Sequence, residues 1–227
     1  MRLVFSGADG PIEVNMGRVR TVEMENPHLF TRVCRSFIAG GDVDAFEPFS
    51  LWDGDGSELA PAKTLLVVTD PLRLPWNGAD LGGKLPAVME SLLFEDEDAR
   101  SAFEGYGRQL AAFAFRLTHQ VECDYRFNVE WDVRRYLKAF GFAANRGEGL
   151  PYIEMLNTFL DFASDMQLKK VLVFVNLKTF LSENEFEQFL GRVFFHEFMV
   201  LLLESKACAI DYEYEDKTVI DQHFLEI

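Results

Sequence analysis

Lys169-Lys170-Val171-Leu172-Val173-Phe174-Val175-Asn176 is the stretch on which the fold turns. Five apolar residues in a row, three of them valines, leave no polar face between the lysines and the asparagine. Such a run fits a strand covered on both sides, as in a parallel sheet. Two runs of the same kind flank it, Leu65-Leu66-Val67-Val68-Thr69-Asp70 upstream and Met199-Val200-Leu201-Leu202-Leu203 downstream. Ser182 and Glu185 have capping-box spacing ahead of a helix carrying Phe186, Phe189, Leu190 and Val193. Pro151 opens a helix with apolar residues on more than one side (Ile153, Leu156, Phe159, Leu160, Phe162), which predicts deep burial. A last strand-like segment is Thr218-Val219-Ile220. Strands alternating with helices predict an α/β fold with a mostly parallel sheet and crossover helices.

Toward the N-terminus, Leu3 to Ser6, Pro11 to Val14 and Arg18 to Met24 read as strands. Asn26-Pro27 starts a helix with Leu29, Phe30, Val33 and Phe37 on one face, stopped by Gly40-Gly41. Phe49 to Trp52 reads as a short strand. Pro75, Gly78, Gly82, Gly83 and Pro86 then mark a boundary. Beyond it a helix is expected from about Asp98 to His119, where Ala99, Phe103, Tyr106, Leu110, Phe113 and Leu117 form a heptad stripe. Gly105 and Gly107 cost about 1 kcal/mol each against Ala and predict a kink. A second helix, capped near Asn128, carries Val133, Tyr136, Leu137 and Phe140. The pair reads as a protruding helical leg over 73–149, inserted into a head formed by 1–72 and 150–227. The stripe is too long to be covered by one short helix, which predicts association between copies.

With 227 residues, 48% of them hydrophobic and 22 of them Phe, a disordered chain is excluded. No apolar run approaches the ~20 residues of a membrane span. Met1 to Ser6 lacks the apolar stretch of a signal peptide. Cys34, Cys123 and Cys208 are odd in number and far apart, and read as buried cytosolic thiols. A cytoplasmic protein is expected. The net charge of −15 argues against a nucleic-acid partner. Binding, however, depends on potential within about a Debye length of ~8–10 Å, and a ring can be acidic outside and basic within.

Ser57 to Thr64 is the nearest approach to a phosphate loop, but it lacks both glycines and its Lys63-Thr64 precedes a strand. Leu65 to Asp70 is like the strand and aspartate that hold magnesium in NTPases; without a phosphate loop it reads as a core strand ending in a polar turn. Gly105-x-Gly107 lies within a helical stripe, not after a strand. His28, His119, His196 and His223 are scattered, and His196-Glu197 has no second histidine at position 200. One enzymatic pattern survives: Asp70 with Glu204-Ser205-Lys206, at the ends of two apolar strands, matches carboxylates holding Mg²⁺ and a lysine orienting water in a nuclease. Against it stands the reading of strand-end polar residues in solvent. Glu122, Asp124, Glu130 and Asp132 crowd the elbow between the leg helices, either as solvated charge or as oxygen donors to a hard cation such as Ca²⁺. Asp53-Gly54-Asp55-Gly56 reads as a turn. Basic candidates are Arg126, Arg134, Arg135 and Lys138 on the leg, and Lys169 and Lys170 before the second core strand.

The order of Leu-Leu-Val-Val-Thr-Asp70, helical leg, Lys169-Lys170-Val-Leu-Val-Phe-Val-Asn176, Phe180-Leu181-Ser182-x-x-Glu185 and Met199-Val-Leu-Leu-Leu-Glu204 resembles the small accessory spacer-acquisition protein of type II-A CRISPR systems. The resemblance spans essentially the whole chain and is strongest from Lys169 to Glu204. It implies a head related to P-loop ATPases without a working phosphate loop. It also implies a homotetrameric ring that binds double-stranded DNA ends through a basic hole, calcium that stabilises the assembly, and no catalytic activity. The implied partners are the adaptation integrase and the RNA-guided nuclease.

Overall fold

The computed structural model describes residues 1–40, 47–123, 132–223 and 225. The chain divides into two compact units, Met1–Trp76 with Arg146–Ile227, and Asn77–Asn145.

The first unit is layered around a parallel sheet. Its strands are β3 (Arg18–Met24), β6 (Leu65–Val68), β7 (Val171–Val175), β8 (Met199–Glu204) and β9 (Glu215–Ile220), in the order β6-β7-β8-β3-β9. Every neighbouring pair is parallel. β7 and β8 are interior strands, which is why their sequences are apolar on both faces. β6 is an edge strand, and Leu66 and Val67 are only half buried, so its apolar run does not signify a central position.

On one face, Val171, Val173, Leu201, Leu203, Val22 and Met24 meet helix α1 (Pro27–Ala39) and a second sheet. That sheet is antiparallel, in the order β2 (Ile12–Glu13), β1 (Arg2–Phe5), β4 (Phe49–Trp52) and β5 (Glu58–Leu59). Its strands are only two to four residues long, too short for periodicity to show that they form a sheet of their own. On the other face, helices α6 (Tyr152–Asp165) and α7 (Glu183–Phe195) pack together and bury Leu156, Phe159, Phe186 and Phe189. Phe174 meets Phe189 edge to face, with centroids 6.1 Å apart. α7 starts on the expected box: Ser182 Oγ accepts from the Glu185 N–H, and the Glu185 carboxylate accepts from the Ser182 N–H at 2.8 Å. The short helix α2 (Pro61–Thr64) leads directly into β6.

The second unit contains α3 (Leu85–Glu95), α4 (Glu97–Thr118) and α5 (Val133–Ala139). α3 differs from the boundary expected at Pro86, because proline suits a helix's first turn, where its missing N–H has no partner to lose. α4 runs unbroken through Gly105 and Gly107, and Gly107 is its buried residue. α5 is capped by Asp132 rather than near Asn128: the Asp132 carboxylate accepts from the N–H groups of Arg134 and Arg135. Arg134 reaches Glu90 of α3 at 2.8 Å, and Phe103 of α4 meets Tyr136 of α5 edge to face at 5.4 Å. The rest of the α4 stripe is bare. Tyr106, Leu110, Phe113 and Leu117 are each at least half exposed.

Candidate functional site

Open parallel sheets place ligand clefts beyond the carboxyl ends of their strands. In this chain that edge is where β3, β7 and β8 end. Asn176 adopts a left-handed turn (φ 54°), a conformation asparagine tolerates better than most residues. Its backbone N–H donates to Leu203 O and its side-chain oxygen accepts from the Ser205 N–H, both at 2.9 Å. The turn sends the chain into a single 3-10 turn, Leu177–Phe180, and carries Lys178 over the sheet edge.

Lys178 meets carboxylates from two adjacent strands. Its ammonium lies 3.0 Å from Glu23 Oε1 on β3 and 2.6 Å from Glu215 Oε1 on β9, 5.0 Å above the Phe186 ring. Burial alone would lower the lysine's pKa, but the bonds to Glu215 and Glu23 outweigh it and hold it above the ordinary value. Thr21 donates its hydroxyl to Glu215 Oε1, while Glu215 Oε2 is buried without a hydrogen-bond partner among the described residues. Glu204, register partner of Glu23, accepts the Lys178 backbone N–H at 3.0 Å. Burial pushes its carboxyl up to about 7; nearby Glu23 adds to this, and Lys178 opposes it. Above this floor lies a cleft of about 370 Å³ lined by Lys178, Ser182, Phe186, Glu204, Lys206 and Tyr212.

The same edge is hostile to phosphate. At the turn from β3 into α1, Asn26 Oδ1 already accepts the N–H groups of His28 and Leu29, and Pro27 has none to offer. The Glu185 side chain occupies the start of α7, and the acidic side chains of Glu23 and Glu204 are buried along the same edge. Lys63-Thr64 sits at the end of α2, ahead of a strand, where no backbone nest can form.

The three residues of the nuclease pattern do not converge. Asp70 follows edge strand β6, half exposed; its side chain accepts the Leu72 N–H at 3.1 Å and pairs with Arg73 at 3.5 Å. β7 separates β6 from β8, which puts the two strands ~10 Å apart at the usual spacing. Glu204 and Lys206 line the cleft and Asp70 does not. A shared metal site between Asp70 and Glu204 is therefore disfavoured. Among the described residues, no group of three or more His, Cys, Asp or Glu side chains is placed to hold a metal ion.

Lys169 and Lys170 lie at the opposite, amino-terminal edge of the sheet, in a cleft of about 320 Å³ shared with Met16, His196, Glu197 and Phe198. Lys169 is exposed, and the Lys170 ammonium donates to Ala62 O at 2.8 Å. Arg134, Arg135 and Lys138 follow one another along α5; Arg134 pairs with Glu90, Arg135 lies 3.5 Å from Asp132, and Lys138 borders a cleft with Gly82, Pro86 and Phe142. Of the carboxylates read as calcium ligands, Glu122 is exposed just beyond α4, and Asp124 and Glu130 lie outside the described residues, as does Arg126. Asp132 is taken up as the α5 cap.

Sequence reading missed the buried Glu23, Glu215 and Lys178. A faint signal existed for Glu23: in Arg18-Val-Arg-Thr-Val-Glu-Met24 it shares a face with Val19 and Thr21, an odd place for a carboxylate unless something answers it.

The fold defines a class first, a layered α/β unit with a helical unit inserted between its two segments. It is similar to the crystal structure of Stu0660 of Streptococcus thermophilus, with a TM-score of 0.62 at 15% identity, covering 97% of this chain and 74% of that one. In sequence, the chain is 23% identical over 227 residues to the CRISPR-associated protein Csn2 of Enterococcus faecalis, covering 99% of this chain and 97% of the relative. Residues 43–224 match the family model described as CRISPR-associated protein (Cas_Csn2). The chain belongs to the Csn2 family of CRISPR-associated proteins.

Proposed function

We propose that the protein is a non-catalytic ring that binds the ends of double-stranded DNA and assists spacer acquisition. In this reading four copies join through the helical unit, which acts as a leg, and the α/β unit is a head of P-loop-ATPase type without a working phosphate loop. The observation that carries the reading is the bare stripe of Tyr106, Leu110, Phe113 and Leu117 on α4. An apolar heptad face of that length is unfavourable in water and is relieved by the same face of another copy. Family membership supplies the setting, and the adaptation integrase and RNA-guided nuclease are the proposed partners. Lys169, Lys170, Arg126, Arg134, Arg135 and Lys138 are the proposed phosphate contacts. Glu122, Asp124 and Glu130 are proposed to bind Ca²⁺, which would relieve their mutual repulsion and strengthen the assembly.

The test compares linear and covalently closed duplexes in native gels with and without Ca²⁺. A ring threads onto an end, so linear DNA binds and closed circles do not; equal affinity for both overturns threading. The affinity falls with salt by ~0.9 log units per log unit for each phosphate neutralised, and Lys169→Glu reduces that slope.

A further inference from the structure

We propose that the junction of α3 and α4 is a docking surface for a partner protein, one that presents a basic segment with apolar anchors. This role is separate from DNA binding and from assembly through the α4 stripe. The junction reads Leu92-Leu93-Phe94-Glu95-Asp96-Glu97-Asp98. Leu92 is 54% and Phe94 62% exposed, and the four acids that follow are exposed as well. α3 carries Leu85, Val88, Met89, Leu92, Leu93 and Phe94, yet none of its residues is buried. A helix of that composition is normally covered, and an apolar patch bordered by charge marks a contact surface.

Helix formation accounts for only part of this charge. The Asp96 carboxylate accepts the Ala99 N–H as the cap of α4, and Glu97 and Asp98 occupy its first turn, where the helix dipole favours acids. Glu97 also lies 3.8 Å from Arg100, whose guanidinium stands 5.9 Å from the centre of the Phe94 ring. Glu95 has no such role. It ends α3, where the dipole disfavours an acid, and no basic residue lies in that last turn. Among the described residues, neither Glu95 nor Asp98 has an ion-pair partner. The charge then selects the occupant. Four acids beside one arginine repel phosphate, and they repel a second copy of a chain whose net charge is −15. A basic segment is attracted instead, and Leu92 and Phe94 seat its apolar side chains next to the acids that hold its cations.

The probe is a fluorescently labelled Leu/Lys peptide patterned as an amphipathic helix, read by anisotropy, with a Leu/Glu peptide of the same pattern as control. Binding is expected for the Leu/Lys peptide alone. Glu95→Lys with Asp98→Lys is expected to weaken it about tenfold, and Phe94→Ser about fivefold. Glu95→Lys suits the end of α3, so the fold is expected to hold, with circular dichroism as the check. Asp165→Lys with Glu187→Lys makes the same change of charge at exposed positions elsewhere and is expected to leave the affinity within about twofold. An equal loss from both pairs of substitutions, or no loss from the pair at the junction, overturns the docking surface. Light scattering of Phe94→Ser is expected to give the oligomer size of the unaltered chain. A smaller species would assign the junction to a second copy and overturn the proposal.

Discussion

The Lys178 ammonium lies 2.6 Å from the Glu215 carboxylate, with the two side chains 14% and 0% exposed. Removing one partner of a buried pair leaves the other charged in a poor solvent, at a cost of about 3–5 kcal/mol. Lys178→Met is therefore expected to lower the unfolding free energy in urea by about that much, since both Glu215 and Glu23 lose their ammonium. A loss under about 1 kcal/mol would show that the pairs contribute no more than exposed ones do.

Glu204 makes stability fall toward alkaline pH. Its carboxyl is raised from 4.5 to about 7 by burial, so the folded chain keeps a proton that the unfolded chain releases between those values. Its contribution is full below about 4.5, declines as pH rises, and is lost above about 7. At ~1.4 kcal/mol per pKa unit, the decline amounts to about 3 kcal/mol. Urea midpoints measured across that window are expected to show the slope in the unaltered chain and to lose it in Glu204→Gln.

Ser182→Ala removes one half of the α7 capping box and is expected to cost about 1 kcal/mol. Glu185 is held below the ordinary carboxylate range, first by the Ser182 hydroxyl and then by the Ser182 N–H. Thermal unfolding of the variant is the direct measurement, and a change within about 0.3 kcal/mol would mean the hydroxyl contributes nothing.

The α4 stripe is expected to govern oligomer size. Leu110→Glu with Phe113→Glu places two charges on a face already half exposed, so the fold should survive while association is lost. Light scattering is expected to give a tetramer for the unaltered chain and a smaller species for the variant, with unchanged circular dichroism. A monomer in both cases removes the assembly reading.

The sequence by itself determined the elements of the parallel sheet and the caps of α1 and α7. Val171 to Val175 and Met199 to Leu203 are apolar without interruption because β7 and β8 are covered on both faces. Asn26 and Ser182 are caps because their side chains reach backbone donors two or three residues away. These are local facts, and local facts are legible in order along a chain. Helix α3 is the exception, because a proline such as Pro86 suits a chain boundary and a helix's first turn alike.

Only the tertiary structure decided what those elements bring together. Glu204 and Asp70 look equivalent in sequence, each ending an apolar run, yet β7 intervenes and leaves one at a buried cluster and the other in solvent. Glu23, Lys178, Glu204 and Glu215 are spread over nearly the whole chain, and no spacing rule links them. Strand order places Glu204, Glu23 and Glu215 on three neighbouring strands, and the left-handed turn at Asn176 brings Lys178 over them. Ion pairing in a dry site depends on distances set by packing across strands, and those distances exist only once the sheet has formed.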